Sequence, residues 1–382
     1  MKVLYDHQAF DMQHYGGVSN CFVQLISNFP QKVAYDISLL ECDNYHLRDS
    51  GLINIPPKSF PPEKFLLNRH FLGQGILYGW YSKVFPSKTS DGRNRLYSIE
   101  KLKRGDFDVF HPTFFDPYFL PYLNGKPFVL TVHDMIPELF PSSSNDSQVK
   151  VKPLLCQKAA HIVAVSERTK QDLMRLLHVP EDKISVIYHG APNYNDCASL
   201  KPLLDGQYIL YVGQRRDSYK NFLPMLKSLA PVLQHHQAIK IVCTGPDFTK
   251  AERLFLEKVG LCNKVCHLHV NDQELQNLYA HALCFIYPSA YEGFGIPILE
   301  AYRANCPVLL NEASCFPEIA QKAAVYFHLD EQSSDLDQVM EDFLRITDRE
   351  RETLLEKQHE RLSCFSWQKS AQKLTDLYHS LV

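Results

Sequence analysis

The stretch Tyr291–Tyr302, which reads YEGFGIPILEAY, is the most informative part of this 382-residue chain. It places two carboxylates, Glu292 and Glu300, eight positions apart, with a Gly-Phe-Gly loop and Pro297 between them. Proline is favoured at the first position of a helix because it has no N–H group that would lack a partner. We therefore expect a loop that carries Glu292, followed by a helix that begins near Pro297 and holds Glu300 in its first turn.

The start of such a helix is suited to a phosphate ligand. The N–H groups and the partial positive charge at a helix N-terminus favour an anion, and the glycines of the loop let a ligand approach the backbone. A carboxylate beside a phosphate is electrostatically unfavourable unless the carboxylate accepts hydrogen bonds from hydroxyl groups. A ligand that combines phosphate with many hydroxyl groups is a nucleotide sugar.

The composition is that of an ordinary globular protein, with 45% hydrophobic residues, 22% charged residues and a net charge of −3. The length exceeds what one hydrophobic core usually supports, so two domains are expected. The absence of a basic excess argues against nucleic acid as a partner. The start, MKVLYDHQAF, reads as a strand rather than a signal peptide, and the eleven cysteines lack framework spacing, which predicts reduced thiols in the cytosol. The sequence contains no run of about twenty apolar residues, so a membrane-spanning helix is not expected.

Short apolar strand candidates alternate with amphipathic helical stretches, the pattern of parallel sheets with crossover helices. The first series of strands runs from Val3–Tyr5 to Ile184–Ile187, and a second series begins at Tyr208–Val212. The stretch 193–206 between them is rich in polar turn residues and is the best linker candidate. We therefore predict an α/β protein of two Rossmann-like domains, residues 1–192 and 207–365, which face each other across a cleft with the ligand at the carboxyl ends of the strands.

The stretch Asp43–Arg104 differs from the rest of the N-terminal domain. It contains the proline-rich INIPPKSFPPEKF and the aromatic ILYGWYSKVF, and its basic residues outnumber its acidic ones. The simpler interpretation is an irregular, solvated insertion. The alternative is a surface that contacts an anionic acceptor or lipid headgroups.

A glycine pair follows the first predicted strand in HYGGVSN, where Gly16 and Gly17 open a helix. The order of strand, glycine loop and helix presents backbone N–H groups to an anion. A glycine pair is also common in simple turns, but its position directly after the first strand favours a binding role.

The corresponding loop of the second domain, YVGQRRDSYKN, carries positive charge. Gly213 permits a tight turn, and Arg215 and Lys220 lie beyond the carboxyl end of the preceding strand. A nucleoside diphosphate that departs from a sugar carries negative charge, which Arg and Lys side chains stabilise. We expect this role for Arg215 and Lys220, and a solvated position for Arg216.

His133 and Asp134 end a hydrophobic strand in TVHDMIPE, so His133 is expected to line the ligand cleft. The pair suggests a proton relay, and the alternative is that Asp134 only orients His133 or caps the next turn. Hydrolase chemistry has little support, because no Ser or Cys lies in a matching nucleophile elbow.

Two kinds of motif resemble metal sites, and we expect neither to bind a metal. In CNKVCHLH, a strand would point Cys266 to one face and both His267 and His269 to the other, so the soft ligands would not converge. The Asp-x-Asp motifs at 106–108 and 335–337 do not accompany a phosphate-binding loop.

Together these motifs closely resemble the retaining family 4 glycosyltransferases of the GT-B fold. Each piece alone is a weak signal, but their order and spacing are specific and cover almost the whole chain. Only Asp43–Arg104 matches poorly, where family members differ according to acceptor. In the family the last helix, here residues 366–382, crosses back to pack on the N-terminal domain. The matching pieces are HYGGVSN, VFHPTFF, TVHDMIPE, AVSERTKQDL, VIYHG, YVGQRRDSYKN, PSAYEGFGIPILEA, SCFPEIAQKAAVYF and FSWQKSAQKL.

The resemblance implies a role for each charged residue of the site. Glu292 would contact hydroxyl groups of the donor sugar, and Glu300 would contact those of the ribose. Arg215 and Lys220 would bind the diphosphate, and His133 would lie against the transferred sugar.

The resemblance also implies that backbone groups line the donor site. Gly17 of the Gly16–Gly17 pair would approach the diphosphate or the sugar from the N-terminal domain. Asn20 departs from the family, in which an Arg is common at this position, so a phosphate or acceptor contact from Asn20 is in doubt. The backbone amides expected at the donor are those of Phe294, Gly295 and Ile296.

The activity implied is transfer of a sugar with retention of anomeric configuration, without a cofactor and without a bound metal. Glu292 and Glu300 are then two hydroxyl acceptors rather than the acid and nucleophile of a retaining glycosidase. The first expectation is mannose from GDP-mannose, passed to a growing surface glycan or a lipid-linked saccharide by a cytosolic enzyme that contacts the inner-membrane surface. The alternatives are a UDP-sugar donor, a nucleotide-sugar epimerase of the same fold and, least favoured, a scaffold without activity.

Overall fold

The computed structural model describes residues 1–65, 73–141, 146–192 and 201–382. The described chain divides into two compact units. Part of the predicted linker, 193–200, and part of the predicted insertion, 66–72, lie outside the described residues. The first unit comprises Met1–Val165, Thr169–Tyr188 and Trp367–Val382, and the second comprises Ser166–Arg168 and His189–Ser366.

Strands and helices alternate along the described chain. The strands are β1 (Lys2–Tyr5), β2 (Ala34–Ile37), β3 (Val109–His111), β4 (Val129–Val132), β5 (His161–Ala164), β6 (Ile184–Val186), β7 (Gln207–Tyr211), β8 (Ile239–Thr244), β9 (Val265–Leu268), β10 (Cys284–Tyr287), β11 (Val308–Asn311) and β12 (Val325–Phe327). The helices are α1 (Gln8–Met12), α2 (Gly17–Ser27), α3 (Tyr45–Asp49), α4 (Gln74–Val84), α5 (Ser90–Arg104), α6 (Ile136–Leu139), α7 (Asp146–Lys158), α8 (Glu167–Leu177), α9 (Phe222–His235), α10 (Lys250–Lys258), α11 (Asp272–His281), α12 (Ile296–Arg303), α13 (Phe316–Ala320), α14 (Leu336–Phe343), α15 (Asp348–Leu362) and α16 (Trp367–His379). Short 3-10 turns lie at Pro62–Lys64, Pro86–Lys88, Pro117–Tyr122, Glu181–Lys183 and Ser218–Lys220.

The first unit contains two three-stranded parallel sheets with the orders β2-β1-β3 and β4-β5-β6. A single parallel bridge between Phe110 and Phe128 links the end strands β3 and β4. The core of this unit packs β1 against α2 and α16. Residues Phe22 and Ile26 lie four positions apart on one face of α2 and are both buried, because an amphipathic helix presents one apolar stripe to the sheet.

The second unit contains one six-stranded parallel sheet with the order β12-β11-β10-β7-β8-β9. The chain runs outward from β7 through β8 to β9, and then returns to place β10 on the other side of β7. This strand order is that of the dinucleotide-binding Rossmann fold, whose ligands bind at the carboxyl ends of the two strands where the order reverses. Here those strands are β7 and β10.

The helices of the second unit begin and pack as their sequences predict. The apolar residues Phe222, Met225, Leu226 and Leu229 recur along one face of α9 and are buried in the core. The strand β10 reads CFIY and is buried throughout, as expected when both faces of a parallel sheet are covered. None of the helices in the described ranges is both long and apolar enough to cross a membrane.

The described part of Asp43–Arg104 is not an irregular insertion, so the simpler interpretation was wrong. It contains α3, α4 and α5 and is fixed to the first unit by buried charges. The Lys58 ammonium lies 2.9 Å from Asp11 Oδ1 and 2.6 Å from Asp91 Oδ1. A buried cation with two carboxylate partners holds the inserted segment against α1, because either charge would be costly to leave unpaired.

A chain of buried hydrogen bonds joins α16 to β1 and β3. The Tyr378 hydroxyl lies 2.7 Å from the Tyr5 hydroxyl and 2.5 Å from His111 Nδ1, and His111 Nε2 lies 2.9 Å from Thr131 Oγ1. Burial, together with the nearby His133, lowers the pKa of His111 to about 3. The imidazole is therefore neutral in the folded protein at neutral pH.

The neutral state of His111 predicts a pH-dependent stability. An unfolded histidine takes up a proton below pH about 6.5, whereas folded His111 does not until about pH 3, so the free energy of unfolding should fall by about 1 kcal/mol per pH unit as the pH is lowered between these values. Urea denaturation of His111→Gln should show a shallower decline than the wild type. The matched control is His14→Gln, because His14 is exposed and its replacement should leave the slope unchanged. Equal slopes for all three proteins would contradict a neutral His111.

Candidate functional site

The candidate site lies at the carboxyl ends of β7 and β10, where the strand order reverses. The β7 strand leads through Gly213, whose φ of +133° is strained for any residue with a side chain, into the 3-10 turn Ser218–Lys220. The β10 strand leads through Pro288 into the loop that carries Glu292. Both loops emerge from neighbouring parallel strands, so their side chains meet at one edge of the sheet.

Lys220 and Glu292 form an ion pair at this edge. The ammonium lies 2.6 Å from Glu292 Oε1, and the two side chains are only 13% and 11% exposed. Burial, and then the Glu292 carboxylate, raises the pKa of Tyr287 well above its ordinary value, so that the phenol stays protonated and hydrogen-bonds with Glu292. A cation and a carboxylate are thus held side by side, largely shielded from solvent.

Backbone and amide hydrogen bonds hold the two loops together. The Ala290 amide donates to the Tyr219 carbonyl at 2.7 Å, which ties the residue before Lys220 to the loop of Glu292. The side-chain amides of Asn221 and Asn311 both donate to the Pro288 carbonyl, at 3.1 and 3.3 Å. Asn221 also adopts a left-handed conformation with φ of +51°, which asparagine tolerates better than most residues.

Sequence reasoning did not identify Asn221 and Asn311 as parts of this site. Asn221 directly follows Lys220, and Asn311 is the last residue of β11, next to β10. The available signals were therefore the proximity of Asn221 to Lys220 and the position of Asn311 at a strand end. A third residue, Ser314, was also missed. Its hydroxyl accepts from the Glu292 amide at 3.0 Å and donates to the Glu292 carbonyl at 2.8 Å, which fixes the backbone on which the carboxylate is mounted.

The helix α12 begins one residue earlier than expected, at Ile296, with Pro297 as its second residue. Glu300 is therefore the fifth residue of the helix and lies beyond its first turn, which corrects the prediction. The Tyr279 hydroxyl donates to Glu300 Oε2 at 3.2 Å. Gly295 precedes the helix with φ of +92°, and a Cβ there would lie 3.1 Å from the Ile298 side chain, so glycine is required both by conformation and by space.

The Phe294 side chain is buried and packs against other aromatic rings of the second unit. Its ring packs edge-on against His189 and Phe365, with centroids at 4.8 and 5.8 Å. The Cys315 thiol lies 3.3 Å from the Phe294 carbonyl. These contacts hold the Gly-Phe-Gly backbone in place before α12, and the predicted donor contacts of the Phe294, Gly295 and Ile296 amides stay predictions.

Arg215 is buried and makes contacts that the sequence did not indicate. Its Nε donates to Glu252 Oε1 at 3.0 Å, its Nη1 to the Thr244 carbonyl at 3.1 Å, and its Nη2 to the Pro246 carbonyl. Against the effect of partial burial, hydrogen bonds from Thr249 and Arg215 lower the pKa of Glu252. Arg215 therefore braces the loop after β8, and the predicted diphosphate contact stays a prediction. Arg216 is exposed, as expected.

The predicted glycine loop of the first unit lies at the start of α2. Gly16 precedes the helix, and a Cβ there would overlap the Gln13 side chain. Gly17 is the first residue of α2, and a Cβ there would meet open space. A side chain at position 16 would therefore displace the Gln13 side chain, whose Oε1 accepts from the Ser19 amide, whereas, apart from its chain neighbours and the backbone of its own helix, no described residue lies within 4 Å of a Cβ at position 17. Asn20 accepts a hydrogen bond from Gln24 at 3.4 Å.

His133 follows β4 in the first unit, and its ring packs edge-on against Phe22 of α2 at 6.0 Å. Burial lowers its pKa to about 4, so the imidazole is neutral at neutral pH. The Asp134 carboxylate accepts from the Ile136 amide at 3.0 Å, which supports the capping role among the alternatives. A neutral histidine can donate or accept one hydrogen bond but carries no charge for a phosphate.

The histidines of CNKVCHLH converge on a residue from another loop. Asp247 Oδ1 lies 3.5 Å from His267 Nε2 and 3.3 Å from His269 Nε2, close enough for the three to share an ion. Cys266 points away from them and lies 3.8 Å from the Ile241 carbonyl, as the strand pattern predicted. The acids of the first Asp-x-Asp motif are paired within the first unit, where Asp106 accepts from the Lys2 ammonium and Asp108 accepts from the Lys2 amide.

Two family patterns match the chain in succession. Glycosyltransferase Family 4 matches residues 15–192, and Glycosyl transferases group 1 matches residues 198–360. The second match contains all of the loops that carry Lys220, Glu292 and Glu300.

Similar proteins include two enzymes named for mannose transfer. O-antigen chain mannosyltransferase RfbU of Salmonella typhimurium is 32% identical over 219 residues, which cover 56% of this chain and 60% of that protein. O-antigen chain mannosyltransferase B of Escherichia coli is 27% identical over 251 residues, which cover 61% of this chain and 64% of that protein. The chain thus spans less than two thirds of the length of these relatives.

Solved structures share the fold at low sequence identity. HepE of Anabaena, in complex with UDP and glucose, has a TM-score of 0.71 and 16% identity, with 100% of this chain and 99% of that chain covered. Sucrose-phosphate synthase of Thermosynechococcus elongatus has a TM-score of 0.64 and 16% identity, with 100% and 98% covered. With two matched families, parallel α/β sheets and these neighbours, the chain belongs to the family 4 glycosyltransferases of the GT-B fold.

Proposed function

We propose that the protein is a retaining hexosyltransferase that moves mannose from GDP-mannose to a growing surface glycan or a lipid-linked saccharide. The observation that carries this proposal is the Lys220–Glu292 pair, whose charged atoms lie 2.6 Å apart at the switch point of the second sheet. In a nucleotide sugar the phosphate and the sugar hydroxyls are also neighbours, because the diphosphate is attached to the anomeric carbon. Lys220 would bind the phosphate and the adjacent Glu292 carboxylate would bind the sugar hydroxyls, so the pair matches the two neighbouring parts of a nucleotide sugar.

The proposed reaction proceeds on the face from which the diphosphate departs. The acceptor hydroxyl oxygen bonds to the anomeric carbon while the bond from that carbon to the diphosphate oxygen breaks. The hydroxyl proton passes to the departing phosphate oxygen, so no protein carboxylate need attack. Lys220 stabilises the charge that develops on this oxygen, and Glu292 holds the sugar by its hydroxyl groups. The neutral His133 would offer a hydrogen bond to the sugar without attracting the phosphate.

The proposed donor rests on similarity to named relatives. Mannose is favoured because the relatives RfbU and O-antigen chain mannosyltransferase B are named for its transfer. A UDP-sugar is the second candidate, because HepE was solved with UDP-glucose. The relatives' names also support an O-antigen glycan as the acceptor. We further propose that the enzyme acts on the cytoplasmic side, at the inner-membrane surface.

The donor is tested by thermal unfolding with a panel of nucleotide sugars. At equal concentrations, GDP-mannose should raise Tm more than GDP-glucose or UDP-glucose, since a ligand that binds only the folded state stabilises it more when its Kd is lower. An assay with GDP-mannose and a membrane-lipid extract, run in EDTA, should then release GDP and yield an α-linked product.

Three outcomes would contradict parts of the proposal. If only UDP-sugars raised Tm, the donor would be a UDP-sugar and not GDP-mannose. An altered free nucleotide sugar without acceptor would indicate an epimerase, and loss of activity in EDTA would overturn metal independence.

The roles of the three cations are separated by alanine variants. Lys220→Ala should lower kcat/KM by about 100-fold or more, measured at a temperature where circular dichroism shows the variant folded, because it removes charge stabilisation from the departing phosphate. Its Tm should fall as well, because the shielded Glu292 carboxylate loses its partner. Arg215→Ala should instead lower the free energy of unfolding by about 3 kcal/mol, because Glu252 loses its buried partner. Arg216→Ala is the matched control, and this exposed residue should change neither quantity appreciably. Near-normal turnover of Lys220→Ala would refute the site.

The predicted ribose contact of Glu300 is tested with a second change in the donor. Glu300→Ala and a donor with 2′-deoxyribose should each lower kcat/KM by about 10-fold or more, because each removes the same hydrogen bond. If Glu300 binds that hydroxyl, the variant should discriminate little between the two donors. If the free-energy losses from Glu300→Ala and from the 2′-deoxy donor were fully additive, the contact between Glu300 and the ribose hydroxyl would be contradicted. Tyr279→Phe keeps the carboxylate and serves as the control for indirect effects.

A further inference from the structure

The helix α4 exposes an unusually apolar face. Ile76 is 80% exposed, Trp80 is 64% exposed and Val84 is 48% exposed. These residues recur every four positions, so they form one stripe along the helix, and Leu77, which is 47% exposed, widens it. Phe85, the residue that follows the helix, is also 48% exposed. A stripe of this kind normally faces a protein core, and here it faces away from one.

The opposite face of α4 fixes this orientation. The Tyr78 hydroxyl donates to the Phe60 carbonyl at 2.9 Å. The Gln74 side chain donates to the Pro62 and Phe65 carbonyls at 3.0 and 3.1 Å. Both side chains are buried, so α4 cannot turn its apolar stripe inward without breaking these hydrogen bonds and exposing Tyr78.

Positive charge borders the stripe. Lys83 lies on α4 and Lys88 in the turn that follows, and both are exposed. Neither has a carboxylate within ion-pair distance among the described residues, and α4 itself contains no acidic residue. The nearest acid in sequence, Asp91, is committed to the buried Lys58. The surface therefore combines large apolar groups with uncompensated cations.

We propose that α4 is an interfacial helix that seats the protein on a lipid bilayer with anionic headgroups. The hydrocarbon boundary would accommodate the Ile76, Trp80 and Val84 side chains, while anionic headgroups would neutralise Lys83 and Lys88. Tryptophan is favoured at this boundary because its ring is largely apolar but carries an N–H donor. A protein partner would supply carboxylates at fixed places, whereas two lysines at the border of an unbroken apolar stripe match a continuous negative surface. This inference rests on α4 alone and does not depend on the sugar transferred.

The test uses the two tryptophans of the chain, of which Trp367 is buried in the core of the first unit. In Trp367→Phe the fluorescence comes from Trp80 alone. Phosphatidylcholine vesicles that contain about one third phosphatidylglycerol should shift this emission to shorter wavelength, and brominated lipids should quench it, because the ring enters the acyl boundary. If the Trp367→Phe protein is poorly folded by circular dichroism, the wild-type spectrum minus that of Trp80→Phe gives the same signal.

Variants then separate the two parts of the surface. Ile76→Ser with Trp80→Ser should weaken sedimentation with these vesicles by about 10-fold or more, since it removes two buried apolar groups. Lys83→Glu with Lys88→Glu should weaken binding to the anionic vesicles by a similar factor and remove its salt dependence. The matched control is Leu254→Ser, which alters a leucine that is 55% exposed on α10 of the second unit and should leave binding unchanged.

Two outcomes would overturn the proposal. Vesicle binding that is unchanged in the Ile76→Ser and Trp80→Ser protein would show that another surface meets the membrane. A dimer detected by light scattering, lost in this variant while the wild type ignores vesicles, would assign the stripe to a second copy of the chain instead. Unchanged circular dichroism and Tm would show that all variants are folded, as expected for exposed positions.

Discussion

The candidate site depends on the parallel pairing of β7 with β10. Cys284 lies opposite Ile209 and Phe285 opposite Leu210, so the two strands end at the same edge of the sheet. In this strand order the chain leaves the two strands in opposite directions, which opens a crevice between their loops. The Lys220–Glu292 pair is then held by sheet and loop hydrogen bonds rather than by its own attraction. Desolvation would otherwise offset much of the Coulomb energy of such a pair.

Arg215 and Lys220 of the YVGQRRDSYKN loop carry the same charge but make different contacts in the folded chain. Arg215 already satisfies a carboxylate and two backbone carbonyls, so its guanidinium serves the loop after β8. Among the described residues, Lys220 pairs with one carboxylate, that of Glu292, near the carboxyl ends of β7 and β10. Because the desolvation of Lys220 is already part of the folded state, a phosphate would meet a preorganised cation. Arg215 and Lys220 thus lie in one loop but make different contacts.

Much of the fold was predictable because its signals are local. The apolar strand runs, Gly213 after β7 and Gly295 before α12 each follow from the chemistry of a few adjacent residues, and the structure confirms the two-domain α/β class. The errors were of two kinds. The start of α12 and the turn that holds Glu300 were misplaced by about one residue, as helix ends often are. The helices of Asp43–Arg104 were missed because the prolines of this segment indicate irregular structure, and the helical spacing of Ile76, Trp80 and Val84 was not used.

By itself the sequence determined which residues follow each strand, and therefore which groups stand at the edge of each sheet, since periodicity and glycine or proline positions are properties of neighbouring residues. Only the tertiary structure decided what those groups contact. The partner of Arg215 comes from α10, and the amides that donate to the Pro288 carbonyl come from the residue before α9 and from the end of β11. Asp247 lies near one histidine of β9 and one that follows this strand. The same holds for α4. Its apolar stripe has the spacing of a core-facing helix, but the buried face of α4 is the opposite one, which carries Gln74 and Tyr78. These contacts join residues far apart in sequence, and long-range packing, not local preference, selects among them.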